Sequence, residues 1–159
     1  MKYVGEKDEN VEYRKRPGAY AIIVNKDDDK IGIVKKPTEE GIENFYLGGG
    51  IEEGETKLEA LKREMIEEAG YTIKNIKELG EVGEFIFAGD KGYIEVIASV
   101  YIAEFDKKVA EPIEKDHNVI WVKPEEYVDK MFREWQRYIM EKFIEKREVL
   151  IVWKNTKQE

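Results

Sequence analysis

The sequence predicts a mixed α/β domain built in layers, with strands and one early helix, then more strands, then late helices. Three observations carry this. The apolar run "AYAIIVN" from Ala19 is broken by "DDDK" before "IGIVKK" resumes, which reads as a hairpin. Thr56 with Glu59 three residues on forms a capping box, and Gly70 supplies a stop, so 56–69 is a helix with both ends marked. Finally, "KNIKELGEVGEFIFA" and "GYIEVIASVYIAEF" flank "GDKG", two longer strands around a Gly/Asp turn.

The remaining elements follow in order. The lead "MKYVGEKDENVEYRKRPG" is polar and suggests no element of its own. "ENFYLGGG" reads as a short strand ended by three glycines, where the lack of a Cβ gives backbone freedom or room for close approach. "HNVIWV" is a further strand, and "PEEYVDKM" opens with Pro and acids as a first helical turn does. In "FREWQRYIMEKFIEK", Phe132, Trp135, Ile139 and Phe143 recur at helical spacing and form an apolar stripe. Val149 to Trp153 fits either a last strand or the end of that helix.

A chain of 159 residues suits a single domain over 1–159 that buries a core without staples. Its net charge of −8 argues against a broad nucleic-acid or anionic-membrane surface and leaves room for a small anion held through a metal or a local basic patch. There is no cysteine, which excludes disulfides, thiolate metal sites and a cysteine nucleophile. The N-terminal stretch lacks an apolar h-region, so a cytoplasmic location is expected. Oligomeric state depends on exposed apolar area, which is not a property of sequence.

Between Gly49 and Tyr71 the chain carries seven glutamates. On a helical wheel with Glu64 at zero, Glu67 falls near about 300° and Glu68 near about 40°, bordering an apolar arc of Leu58, Leu61, Met65 and Ala69. Glu64 and Glu68 form a like-charge i,i+4 pair costing roughly 0.2 to 0.5 kcal/mol. A cation at this edge would offset that cost. A charged surface helix with a Glu59 to Arg63 pair is the bland alternative. Chance spacing in so Glu-rich a chain is not, since meeting every fixed position of the pattern has a probability of roughly one in a hundred thousand.

That pattern runs Gly49, five residues, Glu55, seven residues, Arg63-Glu64, Met65, one residue, Glu67-Glu68, one residue, Gly70. It resembles the Nudix box of the Nudix hydrolases, with Tyr71 at the family's bulky aliphatic position and Leu47 where many members have proline. The resemblance implies the Nudix fold, a mixed β-sheet sandwiched between helices, over about Pro17 to Lys146. It implies Mg²⁺, with Mn²⁺ as the alternative ion, held by Glu64, Glu67 and Glu68, with a backbone carbonyl of Gly48 or Gly49. It also implies that Arg63 orients a neighbouring glutamate and that Glu55 acts behind the direct ligands or through water. The reaction implied is hydrolysis of a nucleoside diphosphate linked to a group X. Glu68 is then the first choice as base, with Glu64 and Arg63 beside it in the catalytic set. The loop before "HNVIWV" offers Glu111, Glu114 and Asp116 as further carboxylates, Glu114 foremost as an additional base or metal ligand.

Outside the box, Arg14, Lys15, Arg16, Lys35 and Lys36 are candidates to meet phosphate oxygens, and Phe45, Tyr46, Phe85, Phe87 and Tyr93 to stack on a base. His117, the lone histidine, reads as a surface residue, and Trp135 as core. The family's substrate marks downstream of the box, a proline or a tyrosine, are missing from "EFIFAG". Their absence points to a nucleoside triphosphate or modified-nucleotide hydrolase, with a small nucleotide as partner. The alternative is a Nudix-fold regulator that binds nucleotide without hydrolysing it.

Overall fold

A computed structural model describes residues 1–113 and 118–157, with side chains to residue 148. Strands β1 (Lys2–Val4), β2 (Arg14–Val24), β3 (Ile31–Thr38), β4 (Gly41–Phe45) and β5 (Leu47–Gly50) precede helix α1 (Lys57–Ala69). Strands β6 (Tyr71–Phe87), β7 (Tyr93–Lys108) and β8 (Val119–Val122) follow, then α2 (Pro124–Tyr127) and α3 (Glu134–Lys157). The strands make one mixed sheet in the order β1-β6-β7-β2-β3-β4, with β5 paired to β2 and β8 to β3.

Alternation along β2 decides which helix each residue meets, because successive side chains in a strand point to opposite faces. Ala19, Ala21 and Ile23 pack with Leu61, Met65 and Ala69 of α1, whereas Ile22 packs with Trp135, Ile139, Met140 and Phe143 of α3. The sheet is therefore covered by α1 on one face and α3 on the other, as the resemblance implies. Fully buried side chains such as Leu61 and Ile139 each contribute about 1.5 to 3 kcal/mol through burial.

The two predicted hairpins are present, β2 with β3 and β6 with β7. Three details differ. The glycines of "LGGG" do not end a strand; they are β5, paired antiparallel to β2 from Gly18↔Gly50 to Ala21↔Leu47. The polar lead contains β1, parallel to β6, and the first five of the eleven residues of β2, parallel to β7 from Arg14↔Ile94. Charged residues hide these strands in sequence, because pairing with a neighbour, rather than burial of their side chains, holds them. Lastly, 149–153 continues α3, and Phe132 lies before that helix, its ring tilted against that of Phe45 with centres 5.4 Å apart.

The start of α3 is tied to the sheet. Glu84 on β6 accepts from Trp135 N at 2.9 Å, Tyr46 Oη donates to Gln136 O at 2.6 Å, and Phe132 N donates to Asn44 O at 3.1 Å. The first of these satisfies an N–H that a helix N-terminus otherwise leaves orphaned, and the other two fix its approach to the sheet. Burial raises the Glu84 carboxyl above its ordinary pKa, against the opposing effect of that backbone bond. No helix among the described residues is long and apolar enough to cross a membrane.

Candidate active site

Both ends of α1 form as expected. Thr56 Oγ1 accepts from Glu59 N, and Glu59 Oε1 accepts from Thr56 N, each at 3.1 Å. Gly70 closes the helix at φ 77, its N–H donating to the carbonyls of Met65 and Ile66. With the ends held, the rotation of the helix is set, and the acids fall at graded depth. The side chain of Glu68 is 1% exposed, Glu64 12% and Glu67 33%. The buried arc runs through Ala60 and Leu61 and is centred closer to Glu68 than expected; Leu58, placed on the apolar face by the wheel, is exposed instead.

Among the described residues, Lys36 and Arg63 meet these acids. Lys36 Nζ on β3 lies 3.2 Å from Glu68 Oε1. Arg63 reaches further: Nε donates to Glu55 Oε2 at 2.7 Å and Nη2 to Glu55 Oε1 at 3.0 Å, a two-pronged pair. Its Nη2 also donates to Gly50 O at 3.0 Å, and its Nη1 to Glu64 at 3.0 Å and Glu67 at 3.3 Å. The Glu59 to Arg63 pair does not form, because Glu59 caps the helix and Arg63 turns to Glu55. The guanidinium, with Glu52 N donating at 2.8 Å, lowers the Glu55 pKa to about 2. The same bonds raise that of Arg63.

The glycines have separate reasons. At Gly48, φ is +134, and a Cβ would lie 2.3 Å from Ala19 O, so β2 could not pair with β5 at this point. At Gly49 a Cβ would lie 2.6 Å from Glu64 Oε1. The bare Gly49 backbone thus makes the floor against which the Glu64 carboxylate rests.

Beside β5 a cavity of about 280 Å³ opens, with Gly48 and Gly49 in its wall and Tyr20, Tyr46 and Trp135 among its aromatic lining. Burial pushes the Tyr20 hydroxyl up to about 12. Arg16, Lys36, Lys91 and Arg133 bring four cations to the same cavity, which shares Pro37, Phe45, Ala88, Lys91 and Arg133 with an outer hollow of about 700 Å³.

Of the candidate phosphate-binding residues, Arg16 and Lys36 line the cavity, whereas Arg14, Lys15 and Lys35 are exposed outside its lining. Among the aromatics, Phe45 and Tyr46 line it and Phe87 lines the outer hollow. Phe85 and Tyr93 pack instead with Tyr13. Trp135 is core, 3% exposed, and also forms cavity wall. Glu111 is exposed and pairs with Lys108; Glu114, Asp116 and His117 lie outside the described residues. Lys91, Arg133 and Gln136 are cavity residues that no sequence signal singled out. Each belongs to a turn or helix start brought in by tertiary contacts.

A mixed sheet covered by α1 on one face and α3 on the other is a fold that several solved structures share. A NUDIX hydrolase from Nitrosomonas europaea is 18% identical with a TM-score of 0.68, covering 82% of this chain and 88% of that one. The MutT NUDIX hydrolase from Burkholderia pseudomallei is 24% identical with a TM-score of 0.63, covering 81% and 98%. The MutT protein from Bacillus halodurans is 27% identical with a TM-score of 0.58, covering 79% and 80%. No curated protein matches the chain. The family model described as NUDIX domain matches residues 14–143, and the chain belongs to the Nudix hydrolase family.

Proposed function

We propose that the protein hydrolyses the diphosphate of a nucleoside diphosphate linked to X, a nucleoside triphosphate or modified nucleotide foremost, with Mg²⁺ or Mn²⁺. The observation that carries this reading is the row of Glu64, Glu67 and Glu68 along α1, with Glu64 against the Gly49 backbone and Arg63 bound to Glu64 and Glu67. A hard divalent ion calls for oxygen donors and keeps several waters, which suits this set. The bare Gly49 backbone leaves the Glu64 carboxylate the space that a Cβ would take. Among the described residues, no three acids converge closely enough to hold an ion as they stand. Arg63 shares their oxygens, so Glu64 and Glu67 would give up its bonds on ligation. Glu64, Glu67 and Glu68 would then hold the ion with a carbonyl of Gly48 or Gly49, Glu55 remaining behind them.

Bound there, such an ion neutralises phosphate charge and lowers the pKa of a coordinated water. The chain does the rest. Glu68, buried and steadied by Lys36, takes the proton as water oxygen attacks phosphorus and the anhydride P–O bond breaks, its electrons leaving with the departing phosphate. Arg16 and Lys36 offer donors to the phosphate oxygens. Arg63 holds Glu55 and Gly50 O together, which keeps the loop between β5 and α1 against the ridge.

The test is Mg²⁺- and Mn²⁺-dependent turnover on a panel of nucleoside diphosphate derivatives, with Glu68→Gln beside the parent. Loss of about 10³-fold in kcat is expected for the variant. If the parent turns over no member with either ion, the hydrolase reading fails and the non-hydrolysing nucleotide-binding regulator replaces it. A rise in Tm with either ion checks metal binding separately.

A further inference from the structure

Four cations line one cavity in a chain whose net charge is −8, and they come from four separate segments. Arg16 lies on β2, Lys36 on β3, Lys91 on the turn between β6 and β7, and Arg133 just before α3. Each is positioned by its own contacts. The turn is closed by Lys91 N donating to Ala88 O at 3.0 Å and Ala88 N to Gly92 O at 2.8 Å. Gly89 packs against Glu39 of the β3–β4 turn so closely that a Cβ would meet Glu39 Oε1 at 2.6 Å. Arg133 N donates to Gln136 Oε1 at 2.8 Å, and its guanidinium lies 4.4 Å from the Phe132 ring centre.

Lys36 is matched by Glu68. Among the described residues, neither Lys91 nor Arg133 has a carboxylate at ion-pair distance. Asp90, Glu39 and Glu40 line the outer hollow with them, and Glu84 and Glu40 act on Arg133 from beyond ion-pair distance. Partial loss of water, then the charge of Arg16 and more weakly those of Lys36 and Arg14, lower the Lys91 pKa against the opposing effect of Asp90, although the residue as a whole is exposed. Convergent like charge on a low-dielectric wall is unfavourable unless an anion completes it. The scissile diphosphate faces the ridge and the nearer pair, Arg16 and Lys36, leaving Lys91 and Arg133 for charge further along the substrate.

Resting on the hydrolase reading, we infer that Lys91 and Arg133 form a specificity subsite for a phosphate that the substrate carries beyond its scissile diphosphate. Lys91, on an exposed turn, is the residue that discriminates. The phosphate is either the end of a longer anhydride chain or an ester on the sugar or X group. Either presents two or three acceptor oxygens to an ammonium and a guanidinium.

Matched pairs separate the sources: ADP with ATP for the chain, NADH with NADPH for the ester. The quantity measured is the ratio of kcat/KM within each pair, for the parent, Lys91→Gln and Lys91→Arg. In at least one pair the phosphorylated member is expected to be favoured about tenfold through KM; Lys91→Gln removes most of that ratio, and Lys91→Arg keeps it. A ratio near one in both pairs, or one that Lys91→Gln leaves unchanged, overturns the subsite. If no substrate is turned over, the hydrolase reading has failed, and calorimetric binding of inorganic tripolyphosphate to the metal-free protein decides the subsite by itself. Weakening of fivefold or more in Lys91→Gln supports it, and equal binding of parent and variant overturns it.

Discussion

The ridge on α1 and the cavity beside β5 meet at the same glycines but have opposite charge and opposite construction. Glu64, Glu67 and Glu68 come from two turns of one helix, and their spacing in sequence is their spacing in space. Arg16, Lys36, Lys91 and Arg133 come from four segments that only the folded sheet brings together. The ridge carries its own cations, Arg63 and Lys36, whereas Lys91 and Arg133 face an opening. The ridge therefore needs only its helix to be assembled, whereas the cationic lining exists only once four segments have met.

The largest effect on this contrast is expected from Gly49→Ala, which acts where the two regions touch. Its Cβ would stand 2.6 Å from Glu64 Oε1, so the carboxylate must move. A displacement of that order lowers kcat by about 10²-fold. Steady-state kinetics with circular dichroism to confirm folding checks it, and near-parent kcat would show that the ridge does not depend on the glycine floor.

Next is Lys36→Gln, which removes a cation common to both regions. Loss of its charged bond to Glu68 is expected to reduce kcat/KM about tenfold or more. If Lys36 steadies the base as well as binding phosphate, both kcat and KM change. A change in KM alone would confine Lys36 to the cavity.

Acid sharpens the contrast without touching the cavity. The Glu55 carboxyl titrates at about 2 in the folded chain against an ordinary 4.5, so its contribution to stability is complete above about 4.5 and is lost as pH falls towards about 2. The Tm difference between the parent and Glu55→Gln is expected at pH 6 and should shrink across that window. A difference that persists unchanged at pH 2 would show that Glu55 acts through packing.

The smallest effect is Thr56→Ala. Loss of the cap costs about 1 kcal/mol, a fall in Tm of about 2 to 4 °C, while the ridge two turns away keeps its place. A large fall in kcat at unchanged fold would mean that the helix start also sets the depth of Glu64.

The site was legible in unequal parts. Caps and periodicity are local, so α1 could be bounded and its acids placed at the edge of the apolar face from the residues alone, whereas their graded burial came only with the fold. Partner choice was not. Glu59 and Glu55 lie four and eight residues before Arg63, and which of them the guanidinium takes depends on the loop that the Gly50 carbonyl helps to fold back. Strand pairing was equally hidden: the charged "RKR" of β2 and the lead strand β1 are held by hydrogen bonds to β7 and β6, which leave no apolar signature. The glycine triplet announced close approach, but whether by ligand or by backbone was decided by β2 at Gly48 and by Glu64 at Gly49.

By itself, the sequence determined the layered α/β class, the helix with its marked ends, the acidic ridge and the family's pattern, because each rests on residues within a few turns of one another. Only the tertiary structure decided that β5 is a strand, that Arg63 binds Glu55, Glu64 and Glu67, and that Lys91 and Arg133 share a cavity. Those facts depend on strand pairing and turn placement between segments far apart in the chain, and no local pattern encodes such distances.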